Sequence, residues 1–224
     1  MDEGWTRFVF DTFNVPYASI TDGVIQENDL AARYDVIVLP SQRDAGEGSS
    51  RNNPESIATE LTDSRIERLT SFVGDGGTLV CFDASCTRLI KQLKLPLRNV
   101  LEGVASSDFY CPGSVVSLEV DTSKPLGRGL PPNTNAYFIN SSAFELTDTG
   151  ARETVQVVAR YARENVLRSG WLLGEAKLKG KIALAQVQLG KGQVILFGFR
   201  PQHRGQTWGT FPFIWNALSL ERQT

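Results

Sequence analysis

The chain has 224 residues, 41% of them hydrophobic and 21% charged, which is an ordinary globular composition. A formal net charge of −2 gives no basic footprint for nucleic acid, and no apolar run approaches the roughly 18–20 residues of a membrane span. The single histidine excludes, within one copy of the chain, any zinc hydrolase site that needs two of them.

Trp5, Phe8, Val9, Thr12 and Phe13 recur at helical spacing, with Asp2 and Glu3 placed to favour the N-terminal dipole. Asn14 and Pro16 stop that helix, and residues 16–20 read as a short strand. Residues 35–40 (Asp-Val-Ile-Val-Leu-Pro) have the unbroken apolar character of a buried parallel strand. From Ser41 to Thr62 there is no periodicity, so a long loop is expected. Its Gly46-Glu-Gly48 lacks the Gly-Lys-Ser/Thr of a phosphate loop. Ser64 and Glu67 have capping-box spacing, ahead of a helix with Ile66, Leu69, Thr70 and Val73 on its apolar face.

Residues 78–82 read as the next strand, 83–87 as a turn and 88–93 as a short helix. The remainder is richer in strands, at 114–120, 136–139, 155–160, 181–188 and 193–199, with Gly190-Lys191-Gly192 as a tight turn. A helix over 211–220 closes the chain. Strands alternating with helices, then antiparallel-looking strands, predict a single α/β domain over 1–224. Its sheet would be mixed and mostly parallel, flanked by helices, with added antiparallel strands in the C-terminal half. Right-handed crossovers would bring the 40s loop, the 83–87 turn and the 200–207 loop to one sheet edge. A parallel α/β domain ordinarily opens with a strand, so the first strand is expected upstream of Met1. Its absence would leave a central edge to be covered by dimerisation or another segment.

Four segments carry a family resemblance: residues 1–7, 109–114, 169–174 and 198–207, the last reading Gly-Phe-Arg-Pro-Gln-His-Arg-Gly-Gln-Thr. Together they resemble the C-terminal domain of large bacterial zinc carboxypeptidase-like proteins. That domain is similar to the class I glutamine amidotransferase-like, or flavodoxin-like, fold. In such relatives the first segment follows a strand, and the metallopeptidase domain lies elsewhere in the protein. The resemblance therefore implies an upstream carboxypeptidase-like partner domain or self-association, and an accessory rather than a catalytic role. As written, with an acidic N-terminus and no signal-peptide pattern, the chain reads as cytoplasmic. Membership in a longer exported protein would make it periplasmic or secreted.

A cysteine nucleophile on this fold would need a histidine in hydrogen-bond reach. Cys86, just after a central strand, and His203, just after the last, are the candidate pair. Yet Cys86 is flanked by Ser85 and Thr87 rather than the glycines of an amidotransferase elbow, and His203 is followed by Arg204 and Gly205, so no carboxylate completes a His-x-Glu pair. Helix-start packing is the expected role of Cys86, and no catalytic residue is favoured. Cys81 is expected in the core and Cys111 in a structural turn, while Asp83 is expected to cap the following helix. Arg200, His203, Arg204 and Gln206 form a donor-rich loop. It could take a small anion or carboxylate, with Asp83 and Cys111 nearby. The favoured alternative is a loop pinned by salt bridges to Asp2, Glu3 or Asp83. Trp5 and Trp215 are expected in the core, and Trp171 and Trp208 could mark a carbohydrate or partner surface. Neither a metal nor a cofactor is expected.

Overall fold

The computed structural model describes residues 1–20, 24–25, 29–42, 63–148, 150 and 153–220. The loop expected from Ser41 to Thr62, Gly46 and Gly48 included, lies outside the described residues apart from Ser41 and Gln42. Helix α1 (Asp2–Thr12) is followed by the short helix α2 (Leu30–Arg33), whose N-terminal Ala31 and Ala32 amides donate to the Asp29 carboxylate. Strand β1 (Val36–Leu39), helix α3 (Asp63–Gly74), strand β2 (Thr78–Phe82) and helix α4 (Ala84–Gln92) come next. Eight further strands follow: β3 (Leu97–Asn99), β4 (Ser114–Val120), β5 (Asn133–Phe138), β6 (Phe144–Leu146), β7 (Val155–Tyr161), β8 (Leu167–Ser169), β9 (Ile182–Leu189) and β10 (Gly192–Phe197). Helix α5 (Phe211–Leu218) ends the described chain.

The main path of the sheet runs β1-β2-β10-β9-β7-β4-β5, and β3, β6 and β8 attach beside it. Only β1–β2 and β2–β10 are parallel. The other pairs are antiparallel, which corrects the expectation of a mostly parallel, flavodoxin-like sheet. The physical reason is the connections. Parallel neighbours need a long crossover, usually a helix, and no α-helix occurs between β4 and β10 among the described residues. Leu189 pairs with Gly192 across a two-residue loop in which Gly190 takes φ +62°. β1 and β2 pair from Val36↔Thr78 to Leu39↔Cys81, so no unpaired central edge separates them.

Side chains alternate cleanly across the central strands. Val80, Phe82, Ile195 and Phe197 pack on one face with Val9 and Phe10 of α1 and Phe213 and Ile214 of α5. Leu79, Cys81, Val194 and Leu196 pack on the other with Leu69 and Phe72 of α3 and Cys86 and Leu89 of α4. Each face thus buries a helix layer against the sheet.

Several boundaries move. Residues 16–20 form no strand; Tyr17 instead sets its ring 5.7 Å from Phe10. α1 buries Thr6, Val9 and Phe10, leaving Trp5 half-buried and Phe8 exposed, so its inward face is turned from the one the spacing suggested. Trp215 is half-buried as well. Ser64 falls inside α3 rather than at its cap position, and α4 begins at Ala84, four residues before the expected start.

Candidate functional site

The carboxyl ends of β1, β2 and β10 lie at one sheet edge because the three strands run parallel. Ser41 follows β1, Asp83 follows β2 and Arg200 follows β10. Asp83 Oδ2 lies 2.9 Å from Arg200 Nε and accepts from Ser41 Oγ at 3.3 Å. The same Arg200 nitrogen is 3.5 Å from Asp2 Oδ2 on α1. The pairing of the 200–207 loop with Asp2 and Asp83 is therefore present, and Arg200 is committed to it.

Asp83 adopts φ 50°, ψ −114°, a backbone conformation costly for any residue with a side chain. Strand β2 leads into it and α4 leaves from it at once, which is the strand-to-helix geometry of the elbow that presents the nucleophile in α/β-hydrolases. The turn is held by Asp83 N–H donating to Phe197 O at 2.8 Å and Cys86 N–H donating to Asp83 O at 3.0 Å. The elbow is thus present, but an aspartate occupies it. Cys86 sits three residues into the helix. No glycine signal marks this elbow, which is why sequence reasoning placed the turn over 83–87 and missed it.

Asp83 does not cap α4 with its side chain. Its carboxylate is drawn to Arg200 and Ser41, and the Ala84 amide donates to Ser41 Oγ at 3.4 Å. Ser85 adds a second tie, donating to Pro40 O at 2.6 Å and accepting from Gln42 N–H at 3.0 Å.

Cys86 has no solvent exposure, and its thiol faces Cys81 O and Phe197 O, each at 3.3 Å. Burial, followed by the neighbouring Cys81 and Asp83, pushes the thiol well above its ordinary range. His203 lies elsewhere. Its ring stacks on Tyr137 with centroids 4.3 Å apart and an interplanar angle of 24°. Burial, then the charges of Arg200 and Arg204, lower its pKa. The structure does not bring Cys86 and His203 together as a catalytic pair.

Cys111 is buried near Phe138 O at 3.9 Å, and burial raises its thiol also. Arg204, with φ 50°, and Gln206 face solvent. Gln202, which sequence reasoning passed over, is buried and donates from Nε2 to Thr6 Oγ1 at 3.0 Å, locking the loop to α1. Among the described residues, no group of three or more His, Cys, Asp or Glu side chains is arranged to hold a metal. None of the described helices is long and apolar enough to cross a membrane. Two cavities among the described residues lie away from this edge, one against β7 and β9 and one on the outer face of β4 and β5.

No family model and no curated protein sequence matches the chain. Solved structures do. A ThuA-like protein from Bacteroides uniformis aligns at 16% identity and TM-score 0.54, covering 95% of this chain and 80% of its own. A cytoplasmic protein from Salmonella typhimurium aligns at 16% identity and TM-score 0.56, covering 98% and 87%. A β-galactosidase from Bacillus circulans aligns at 15% identity and TM-score 0.56, covering 97% of this chain but 27% of that enzyme. At these identities the likeness establishes the fold, a mixed α/β sheet flanked by helices, and the ThuA-like neighbour fits it.

Proposed function

We propose that this chain is a non-catalytic, glutamine amidotransferase-like domain acting as an accessory or interaction module of a larger carboxypeptidase-like protein. The observation that carries this reading is the elbow. The position that would present a nucleophile holds Asp83, 1% exposed and ion-paired to Arg200. A buried carboxylate held by a guanidinium is neither a ready nucleophile nor a poised base. The cysteines offer no substitute, because burial keeps all three protonated.

Two observations support the interaction role. Aromatic side chains gather at the surface around α1 and the turn before α5, where Phe8 and Trp208 are 51% and 67% exposed and Trp208 lies 6.3 Å from Phe13. Contiguous exposed apolar area of this kind marks partner surfaces. The fold also spans only about a quarter of the β-galactosidase that shares it, so it occurs there as one part of a longer enzyme. The carboxypeptidase-like parent comes from the four resembling segments.

The test is turnover. Purified protein is assayed against glutamine, amides, esters and peptides, beside the Cys86→Ala, His203→Ala and Asp83→Asn variants. No turnover is expected from any of them. Activity in the parent chain that disappears in one of these variants overturns the reading.

A further inference from the structure

Strand β1 is built like the middle of a sheet but stands at its rim. Its residues, Val36, Ile37, Val38 and Leu39, are all apolar and three are β-branched, the unbroken run of a strand covered on both faces. Yet β1 ends the sheet path, and β2 is its only strand partner among the described residues. β5, which ends the path on the other side, opens with Asn133, Thr134 and Asn135 instead. β1 has none of the devices that usually blunt an edge: no lysine, no proline and no bulge interrupts its register with β2. Val36, Val38 and Leu39 remain partly exposed, whereas every residue of β2 and β10 is buried.

The ladder shows which main-chain groups are left over. Thr78 N–H donates to Asp35 O at 3.0 Å, which sets the phase of the β1–β2 pairing. In a parallel ladder alternate residues face the neighbour, so Asp35, Ile37 and Leu39 turn main-chain groups to β2. Val36 and Val38 turn theirs outward, an N–H and a C=O each, and these have no partner among the described residues. The side chains continue the pattern. Val36 and Val38 lie with the cluster that holds α1, and Ile37 and Leu39 with the one that holds α3 and α4. A strand added at this edge meets apolar neighbours on both faces, so its own side chains must be apolar on both.

The direction of such a strand follows from α1. Asp2, the first residue of α1, lies 3.5 Å from Arg200 at the carboxyl edge of the sheet, where a helix leaves a strand in a parallel crossover. α1 packs on the face opposite α3 and α4. With one handedness for all crossovers, a helix on that face carries the chain away from β2 and past β1. The chain obeys this: Val15 packs with the α1 face and Ile20 with the other, so it changes faces before returning through α2 to β1. The open edge of β1 is therefore the place from which a helix such as α1 departs. A segment filling it runs parallel to β1 and ends beside Asp2.

We propose that the open edge of β1 takes up an extended apolar segment of a partner polypeptide, laid parallel to β1 and hydrogen-bonded to Val36 and Val38. This rests on the interaction-module reading and names the element by which the partner is held. The probe is a soluble peptide, a Val-Ile-Val-Ile core between lysines, added to about 1 mM to the ¹⁵N-labelled chain. In the free chain the Val36 and Val38 amides are expected to exchange hydrogen about tenfold or more faster than Ile37, whose N–H faces β2. With the peptide they are expected to slow about threefold or more, and Ile37 to change less. The same peptide, N-methylated at every core amide, is expected to bind about tenfold more weakly, since the ladder is lost. A nitroxide at the carboxyl end of the peptide is expected to broaden the Asp2 and Ser41 signals and to spare Asp35. The proposal is overturned if Val36 and Val38 already exchange slowly in the free chain, if the peptide leaves them fast, or if the methylated peptide binds as tightly. Broadening at Asp35 instead overturns it too, as does protection that rises with protein concentration alone, which makes a second copy the occupant. None of these readouts involves turnover, so this proposal and the non-catalytic reading fail separately.

Discussion

Arg200 Nε lies 2.9 Å from Asp83 Oδ2, and this contact ties the end of β2 to the loop that leaves β10. Both side chains are shielded, 10% and 1% exposed respectively. Removing the guanidinium leaves a carboxylate in a site that water reaches poorly, a change that typically costs about 3–5 kcal/mol. Arg200→Met is therefore expected to lower unfolding stability by about 3 kcal/mol in urea. Asp2→Asn should cost less, about 1 kcal/mol or below, since Asp2 is the more distant and better solvated partner. The Asp83→Asn/Arg200→Met double variant should lose less than the sum of its singles. Strict additivity would mean the two groups do not act as a pair.

The lone histidine makes one pH effect separable. Burial, then Arg200 and Arg204, hold the His203 pKa below the ordinary value of 6.5. The unfolded chain then takes up its proton at a higher pH than the folded one does. The stability linked to His203 is complete above pH 6.5 and is lost as pH falls through the folded-state pKa. His203→Phe keeps a ring to stack on Tyr137 and removes the titration. Between pH 7 and about pH 5, the melting temperature of the parent chain should fall more steeply than that of the variant. Parallel curves would contradict the assignment.

How much of this was legible in the chain differs by element. Strands β2 and β10 could be read because both faces are covered and their apolar runs are unbroken. β3, β6 and β8 could not: each has three residues, too few for a period to show, and each exists through pairing with distant partners. The parallel expectation failed because strand direction is set by connections and not by strand composition. At the edge of the sheet, charge alone offered Asp2, Glu3 and Asp83 to the 200–207 loop; Arg200 meets Asp2 and Asp83, while Glu3 pairs with Arg7 on its own helix. The elbow was not readable, because its strain falls on Asp83, where sequence rules look for glycine. The Cys86 environment was equally hidden: its thiol meets carbonyls from positions 81 and 197, a contact made only by tertiary packing.

The thiols give a direct chemical check. Cys81, Cys86 and Cys111 are all buried and unbridged, and burial raises each pKa. At neutral pH the folded protein should react negligibly with a thiol-exchange reagent over minutes, then release three equivalents on denaturation. One equivalent of rapid labelling in the native state would identify a reactive cysteine and reopen the catalytic question.

The last prediction concerns Gly198, which lies between β10 and Arg200. Its φ is not positive, so alanine is tolerated by the backbone, and the obstacle is space. A Cβ there would sit 2.6 Å from Ser142 O and 3.1 Å from Tyr161 Oη. Both atoms are fixed in place: Tyr161 donates to Ser142 O at 2.8 Å, and Ser142 N–H donates to Gly198 O at the same distance. Relief must come from moving the end of β10, which carries Arg200 away from Asp83. Gly198→Ala should therefore destabilise the protein by about 1–3 kcal/mol, the usual cost of overpacking. It should also shrink the effect of Arg200→Met when the two are combined, because the ion pair is already loosened. Urea melts of the four proteins decide it. A full Arg200→Met penalty in the Gly198→Ala background would mean that the strand end yields without disturbing the elbow.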